Sequence, residues 1–214
     1  MYRIPTIMLD FETTGLSPAA GARITEVAAL RIENGRIVDR FVSLVNCCVD
    51  VPPFITALTG ITQQMVDRAP CVSQVVPELL RFIGEDALAA HNASFDEKFL
   101  LAECAMLGTA PRHAHLLCSL KLSRRLLPGL RSYGLSRLSS SLGIAFSGDA
   151  HRAEADAEVS AKVLLHIGEQ LRRSYGFDDV GPDLLARVGS LSAARVPAFL
   201  EREAGQRTSA PHAC

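Results

Sequence analysis

The stretch Met8–Leu16, MLDFETTGL, sets the first condition on any fold for this chain. An apolar run that reads as a buried strand ends in two carboxylates, Asp10 and Glu12, and then breaks at Gly15. Strand side chains alternate faces, so residues two apart point the same way and these acids stand side by side. Like charges that close repel unless something positive lies between them. The fold must therefore bring a positive group to the end of its first strand.

The rest of the chain supplies a frame for that strand end. Thr6–Asp10 reads as a core strand, and Glu26–Ile32 and Gly35–Leu44 as two more, divided by the turn pair Asn34-Gly35. Pro52-Pro53 and Thr59–Thr62 read as loop, and Val75–Ile83 has helical spacing. Strands at Ala87–Ala90 and Leu116–Cys118 then alternate with helices over Phe95–Leu107, from Ser119 up to Pro128-Gly129, over Leu135–Leu142 and over Glu154–Arg173. An antiparallel meander feeding β-α-β units predicts an α/β domain, a mixed sheet flanked by helices, over residues 1–173. Residues 174–214, richer in Gly, Pro, Ala and Arg, read as a helical extension with a frayed end.

Bulk properties exclude several classes. Hydrophobic content of 48% with 21% charged residues argues for a folded globular chain. A formal net charge of -1 gives no global field to draw the protein onto nucleic acid, so such a partner must be held locally. The six cysteines, Cys47, Cys48, Cys71, Cys104, Cys118 and Cys214, show no C-x-x-C pairing, which fits reduced thiols in a cytoplasmic setting. His113, His115 and Cys118 lack the second half that a zinc site needs. No segment approaches the ~20 apolar residues of a bilayer span, so no membrane association is expected.

Two further acids sit where helices start. Asp96 lies in HNASFDEKF, where Ser94 and Glu97 have capping-box spacing, and Asp156 lies in HRAEADAEVSAKVL, one and two turns before Val159 and Val163. Both fall on the apolar faces of their helices, where an unpaired acid is costly. Taken singly, each is explained as a helix-terminal charge favoured by the macrodipole. Together, four hard oxygen donors at a strand end and two helix ends suit Mg²⁺ or Mn²⁺, and two such ions ~3.5–4 Å apart suit phosphodiester cleavage. His151, five residues before Asp156, has a side chain that exchanges protons near neutral pH and is placed to act on a nucleophilic water.

LDFETTGL, HNASFDEKFL and HRAEADA match, in order and spacing, the three motifs of the DEDDh 3'-5' exonucleases. Over residues 4–170 the chain resembles that family, in particular the epsilon-type proofreading branch of bacterial DNA polymerase III; LTGIT (58–62) and the segment from Ser119 add to the likeness. The resemblance implies a ribonuclease-H-like fold with a five-stranded mixed β-sheet, two metals held by Asp10, Glu12, Asp96 and Asp156, and His151 as general base. It also implies that Thr13, Gly15 and Leu16 meet the terminal nucleotide, with Asn92 and Phe95 lining the same cleft. Cys118 stands where the epsilon branch often carries an acid.

The expected activity is removal of nucleoside 5'-monophosphates from single-stranded or frayed DNA 3' ends. An RNA 3'-end trimmer is the alternative within the family, and a polymerase-binding module without catalysis is the alternative outside it. The resemblance makes a DNA polymerase subunit a candidate partner for residues 174–214, the favoured alternative being that this segment covers its own domain, and Lys121, Arg124, Arg125, Arg131 and Arg137 are the candidate phosphate track.

Overall fold

The computed structural model describes residues 5–148 and 150–208. Five strands, β1 (Thr6–Thr13), β2 (Ile24–Glu33), β3 (Arg36–Leu44), β4 (Ala87–Ala90) and β5 (Leu116–Cys118), form one sheet in the order β3-β2-β1-β4-β5. The β1–β2 and β2–β3 pairs are antiparallel, whereas β1–β4 and β4–β5 are parallel. Asn34 and Gly35 both have positive φ, as the tight turn between β2 and β3 requires. The mixed sheet is the one expected.

Helices cover both faces. On one side α3 (Val72–Ile83) and α4 (Ser94–Met106) bury Val75, Leu79, Phe99 and Leu100 against Ile7, Leu9 and Phe11. On the other, α5 (Ser119–Leu126), α6 (Leu135–Ser141) and the 23-residue α7 (Ala153–Tyr175) pack against Met8, Ala28 and Leu30. Burial on both faces explains why β1 reads as an unbroken apolar run, with Ile7, Met8 and Leu9 all at 0% exposure. It also separates the alternating residues: Met8 faces α7, so Asp10 and Glu12 continue the α7 face of β1.

Three sequence expectations are corrected. Of the loops expected at Pro52-Pro53 and Thr59–Thr62, Pro53 and Thr59 are instead the two ends of α1 (Pro53–Thr59), and Gly60–Thr62 leads into α2 (Gln63–Asp67), helices of 7 and 5 residues. They are too short to show a period, and their ends rely on local chemistry: Pro53 at the first helical position, Gly60 in the left-handed region, and the Thr62 hydroxyl accepting from Met65 N–H. Ile55, Ile61 and Val66 bury themselves with Cys47 and Val51 in a small separate cluster. The expected Ser94–Glu97 capping box is absent, because Ser94 is already the first helical residue and Glu97 N–H bonds to Ala93 O. The first strand continues past Asp10 to Thr13, carrying both acids inside it.

Residues after Tyr175 form α8 (Pro182–Ser190) and α9 (Val196–Thr208). Phe177, Val180, Leu184, Leu185, Val188, Val196, Phe199 and Leu200 are buried in the same cluster as α7 and Met8.

Candidate active site

The site grows from a mismatch in strand length. β4 pairs with β1 only from Thr6 to Met8, so β1 runs on without a strand neighbour on that side. The N-terminal turn of α4 fills the gap, and Asp96 Oδ1 accepts a hydrogen bond from Phe11 N–H at 3.2 Å. Asp96 is thereby 4% exposed, at the end of the strand that carries Asp10 and Glu12. From the opposite face, α7 lies across β1 and β2 and presents Asp156 from its first turn. Asp10, Glu12 and Asp156 each offer a carboxylate oxygen, and these oxygens all lie within 4.8 Å of one another. The structure thus brings three expected acids into one cluster and sets Asp96 beside it, tied to the same strand.

Electrostatics record the crowding. Asp10 is held well above the usual carboxylate range, first by burial and then by the charges of Asp96, Asp156, Glu12 and Glu26. Burial, Asp156 and Glu26 push Glu12 up to about 8, against a pull downward from Arg152. Burial also lifts Asp96 to about 8, although the Phe11 N–H bond favours its ionised form. Asp156 is raised by burial, while the neighbouring His151 acts in the opposite direction. Four carboxyls that resist ionising together form a pocket for positive charge.

His151 is exposed and sits just outside α7 with φ +65°, its backbone N–H directed to the Asp156 carboxylate. A non-glycine residue in that backbone region is uncommon and marks a segment held by its surroundings.

The expected substrate residues gather beside the acids. Thr13 Oγ1 donates to Gly15 O at 2.7 Å, and Thr14 Oγ1 accepts from Arg23 N–H at 2.9 Å, closing the loop after β1. A Cβ on Gly15 would lie 3.3 Å from the Ala22 Cβ, so a side chain there would crowd the loop. Leu16 is 82% exposed, an unusual position for leucine in an otherwise fixed loop. Lys98 holds that loop by donating to Leu16 O at 2.6 Å, with its ammonium 4.7 Å from the centre of the Phe95 ring. Asn92, exposed and with φ +69°, bonds through its carbonyl to Phe95 N–H at the start of α4.

Lys121, Arg124, Arg131 and Arg137 are exposed, as a phosphate track requires, whereas Arg125 is committed to the carbonyls of Leu191 and Lys121. His115 Nε2 lies 3.0 Å from Asp183 Oδ1. Sequence reasoning missed Glu26, which binds Arg152 from 126 residues away; its visible trace is a charged residue at the head of an apolar strand.

Residues 7–164 match the sequence model of the Exonuclease (RNase_T) family. The chain belongs to that family. Within it, DNA polymerase III subunit epsilon of Aquifex aeolicus is 33% identical over 173 residues, a match covering 81% of this chain and 85% of that protein. The 3'-5' exonuclease DinG of Bacillus subtilis is 37% identical over 167 residues, covering 78% of this chain and 18% of that protein. The chain therefore spans less than a fifth of that relative, and 12% of a PolC-type DNA polymerase III of Clostridium perfringens. Among solved structures, exonuclease X in complex with 5' overhanging duplex DNA aligns with a TM-score of 0.67 at 27% identity, over 86% of this chain and 99% of that one. The 3'hExo nuclease domain bound to rAMP, a DEDDh family member at 24% identity, shares the fold with a TM-score of 0.68, over 78% and 92% of the two chains. The five-stranded sheet with its flanking helices is the ribonuclease-H-like fold of these exonucleases. Among the described residues, no helix is long and apolar enough to cross a membrane.

Proposed function

We propose that this protein is a metal-dependent 3'-5' exonuclease that removes nucleoside 5'-monophosphates from DNA 3' ends in a proofreading role. The observation that carries the reading is the cluster of Asp10, Glu12 and Asp156 within 4.8 Å, with Asp96 bound to the same strand. All-oxygen donors crowded together and held back from ionising by burial fit hard divalent cations, and these four residues would hold two Mg²⁺ or Mn²⁺ ions. Such ions, when bound, supply the charge that offsets the acids and the developing charge on the scissile phosphate.

The chain's own groups account for the remaining work. His151, beside Asp156, takes the proton of the attacking water; the water oxygen bonds to phosphorus, the P–O3' bond breaks, and the departing 3'-oxygen takes a proton from solvent to leave a 3'-hydroxyl on the shortened strand. Leu16 and Phe95 pack against the terminal nucleotide, and the Thr13–Gly15 backbone and Asn92 fix its sugar and phosphate. The exposed cations Lys121, Arg124, Arg131 and Arg137 guide the preceding backbone. With a net charge of -1, DNA binding by the protein alone is weak and salt-sensitive.

Residues 1–173 form the catalytic part in this reading, and residues 174–214 an extension whose described portion covers the α7 side of the core. The likeness to the epsilon subunit, matched over 85% of its length, supports association with a DNA polymerase subunit.

A 3'-mismatched primer on a template is the deciding substrate, assayed with Mg²⁺ and with EDTA beside single-stranded RNA of the same sequence. The expected result is Mg²⁺-dependent release of deoxynucleoside 5'-monophosphates, lost in Asp10→Ala, with RNA degraded more slowly. Activity surviving in EDTA or in Asp10→Ala refutes the scheme, and faster RNA hydrolysis makes the protein an RNA trimmer.

A further inference from the structure

Glu26 is a buried carboxylate beside the site that the proposed chemistry does not use. It stands on β2 directly opposite Glu12 in the antiparallel register and is 3% exposed. Its oxygens are fully engaged: Oε1 accepts from an Arg152 terminal nitrogen at 2.6 Å, and Oε2 accepts from Arg152 Nε at 3.1 Å and from Ala153 N–H at 3.0 Å. Arg152 is the residue that precedes the first turn of α7, and its own side chain does not cap the helix. The cap is supplied from the neighbouring strand by Glu26.

The location makes a purely stabilising role a poor explanation. Glu26 adds a further carboxylate, opposite Glu12 in the strand register, to a site already crowded with them. With Glu26 buried and the Arg152 side chain 38% exposed, the pair gains little beyond the cost of desolvating the carboxylate, so stability alone does not favour this arrangement. What the pair does provide is geometry. A guanidinium held by both carboxylate oxygens is fixed in plane and direction, and with it the backbone of Arg152 and Ala153. His151 is the next residue upstream, outside the helix, in a left-handed conformation that few non-glycine residues adopt unaided. Asp156, by contrast, is carried by a long helix packed across β1 and β2.

We infer that Glu26 and Arg152 are a positioning pair that seats His151 over the acid cluster. The inference rests on the proposed role of His151 as the group that takes the water's proton. Neither residue touches the substrate; both act through the backbone of residues 151–153.

The test uses the full chain, Mg²⁺ and a 3'-mismatched primer. Glu26→Gln keeps the shape but loses charge and one acceptor; Arg152→Lys keeps charge but loses the fork. Both are expected to lower kcat about 10- to 100-fold with KM within about twofold, the range for a group that orients a catalytic residue. Placed on His151→Ala, Glu26→Gln is expected to cost less than about twofold more, because the two act as one unit. The backbone amide of His151 should lose order in Glu26→Gln, its order parameter dropping below about 0.6. That reading needs no turnover, and Arg152→Lys stands in should Glu26→Gln fold poorly. Wild-type kcat in both variants, or an equal loss from Glu26→Gln with and without His151, overturns the inference. An inactive wild type, or one indifferent to His151→Ala, sinks the reading beneath it as well.

Discussion

At the scale of single residues, the site works against the stability of the protein that contains it. Asp10 lies against four other acids, each of which pushes its carboxyl away from ionisation. Replacing it by the isosteric amide, Asp10→Asn, removes one member of that repulsion while keeping its volume. The metal-free variant is expected to gain about 1 kcal/mol, a Tm rise of about 2–4 °C in thermal denaturation, while exonuclease turnover falls about 10²- to 10³-fold. A variant that is both less stable and inactive would mean that the acids are a structural network instead. Leu16 has the opposite character. Leu16→Ala removes a side chain that is 82% exposed, so stability should change by less than about 0.5 kcal/mol. Steady-state kinetics should nonetheless show KM raised severalfold with kcat held, the pattern of lost substrate contact.

Elements show why some of this was legible in the sequence and some was not. The strands around the site were readable because β1 and β4 are buried on both faces and appear as apolar runs, and because Asp10 and Glu12 obey the two-residue period. Asp96 and Asp156 were placed correctly on inward faces by their spacing from Phe99, Leu100, Val159 and Val163. Ser94 and Glu97, despite their capping-box spacing, do not cap the helix, since Ala93 and not Ser94 precedes it. Periodicity located the helix, and local cap chemistry misjudged its first residue. α1 and α2 escaped because 5 to 7 residues do not complete two turns. The Glu26–Arg152 and Lys98–Leu16 links span 126 and 82 residues, and no local pattern announces such a contact. Lys98 shows what such a link does for an element. It ties the loop after β1 to α4, and Lys98→Met should leave kcat intact while raising KM for the 3' end about as much as Leu16→Ala does.

For the whole molecule, the C-terminal helices and the acid cluster bear on stability in opposite directions. Leu185 and Leu200 are 0% exposed within the cluster that holds α7 in place. Leu185→Ala should therefore cost about 2–5 kcal/mol in urea denaturation, although it lies beyond the residues that match the family model. The acids set how global stability depends on pH. Burial raises Asp96 to about 8, burial with the charges of neighbouring acids raises Glu12 to about 8, and Asp10 and Asp156 also lie above their ordinary values, in the folded chain but not in the unfolded one. Between about pH 4 and pH 8 the folded state therefore binds more protons than the unfolded state, and stability must fall as pH rises through that window. Divalent cations held as proposed by the deprotonated carboxylates of the folded state would stabilise it more and more across the same window. Thermal denaturation in EDTA should accordingly show Tm decreasing from about pH 5.5 to about pH 8.5, with the increment from Mn²⁺ largest at the alkaline end. A metal-free Tm that climbs with pH, or an Mn²⁺ increment that does not, would mean that these carboxyls ionise freely and that the cluster is not built around cations.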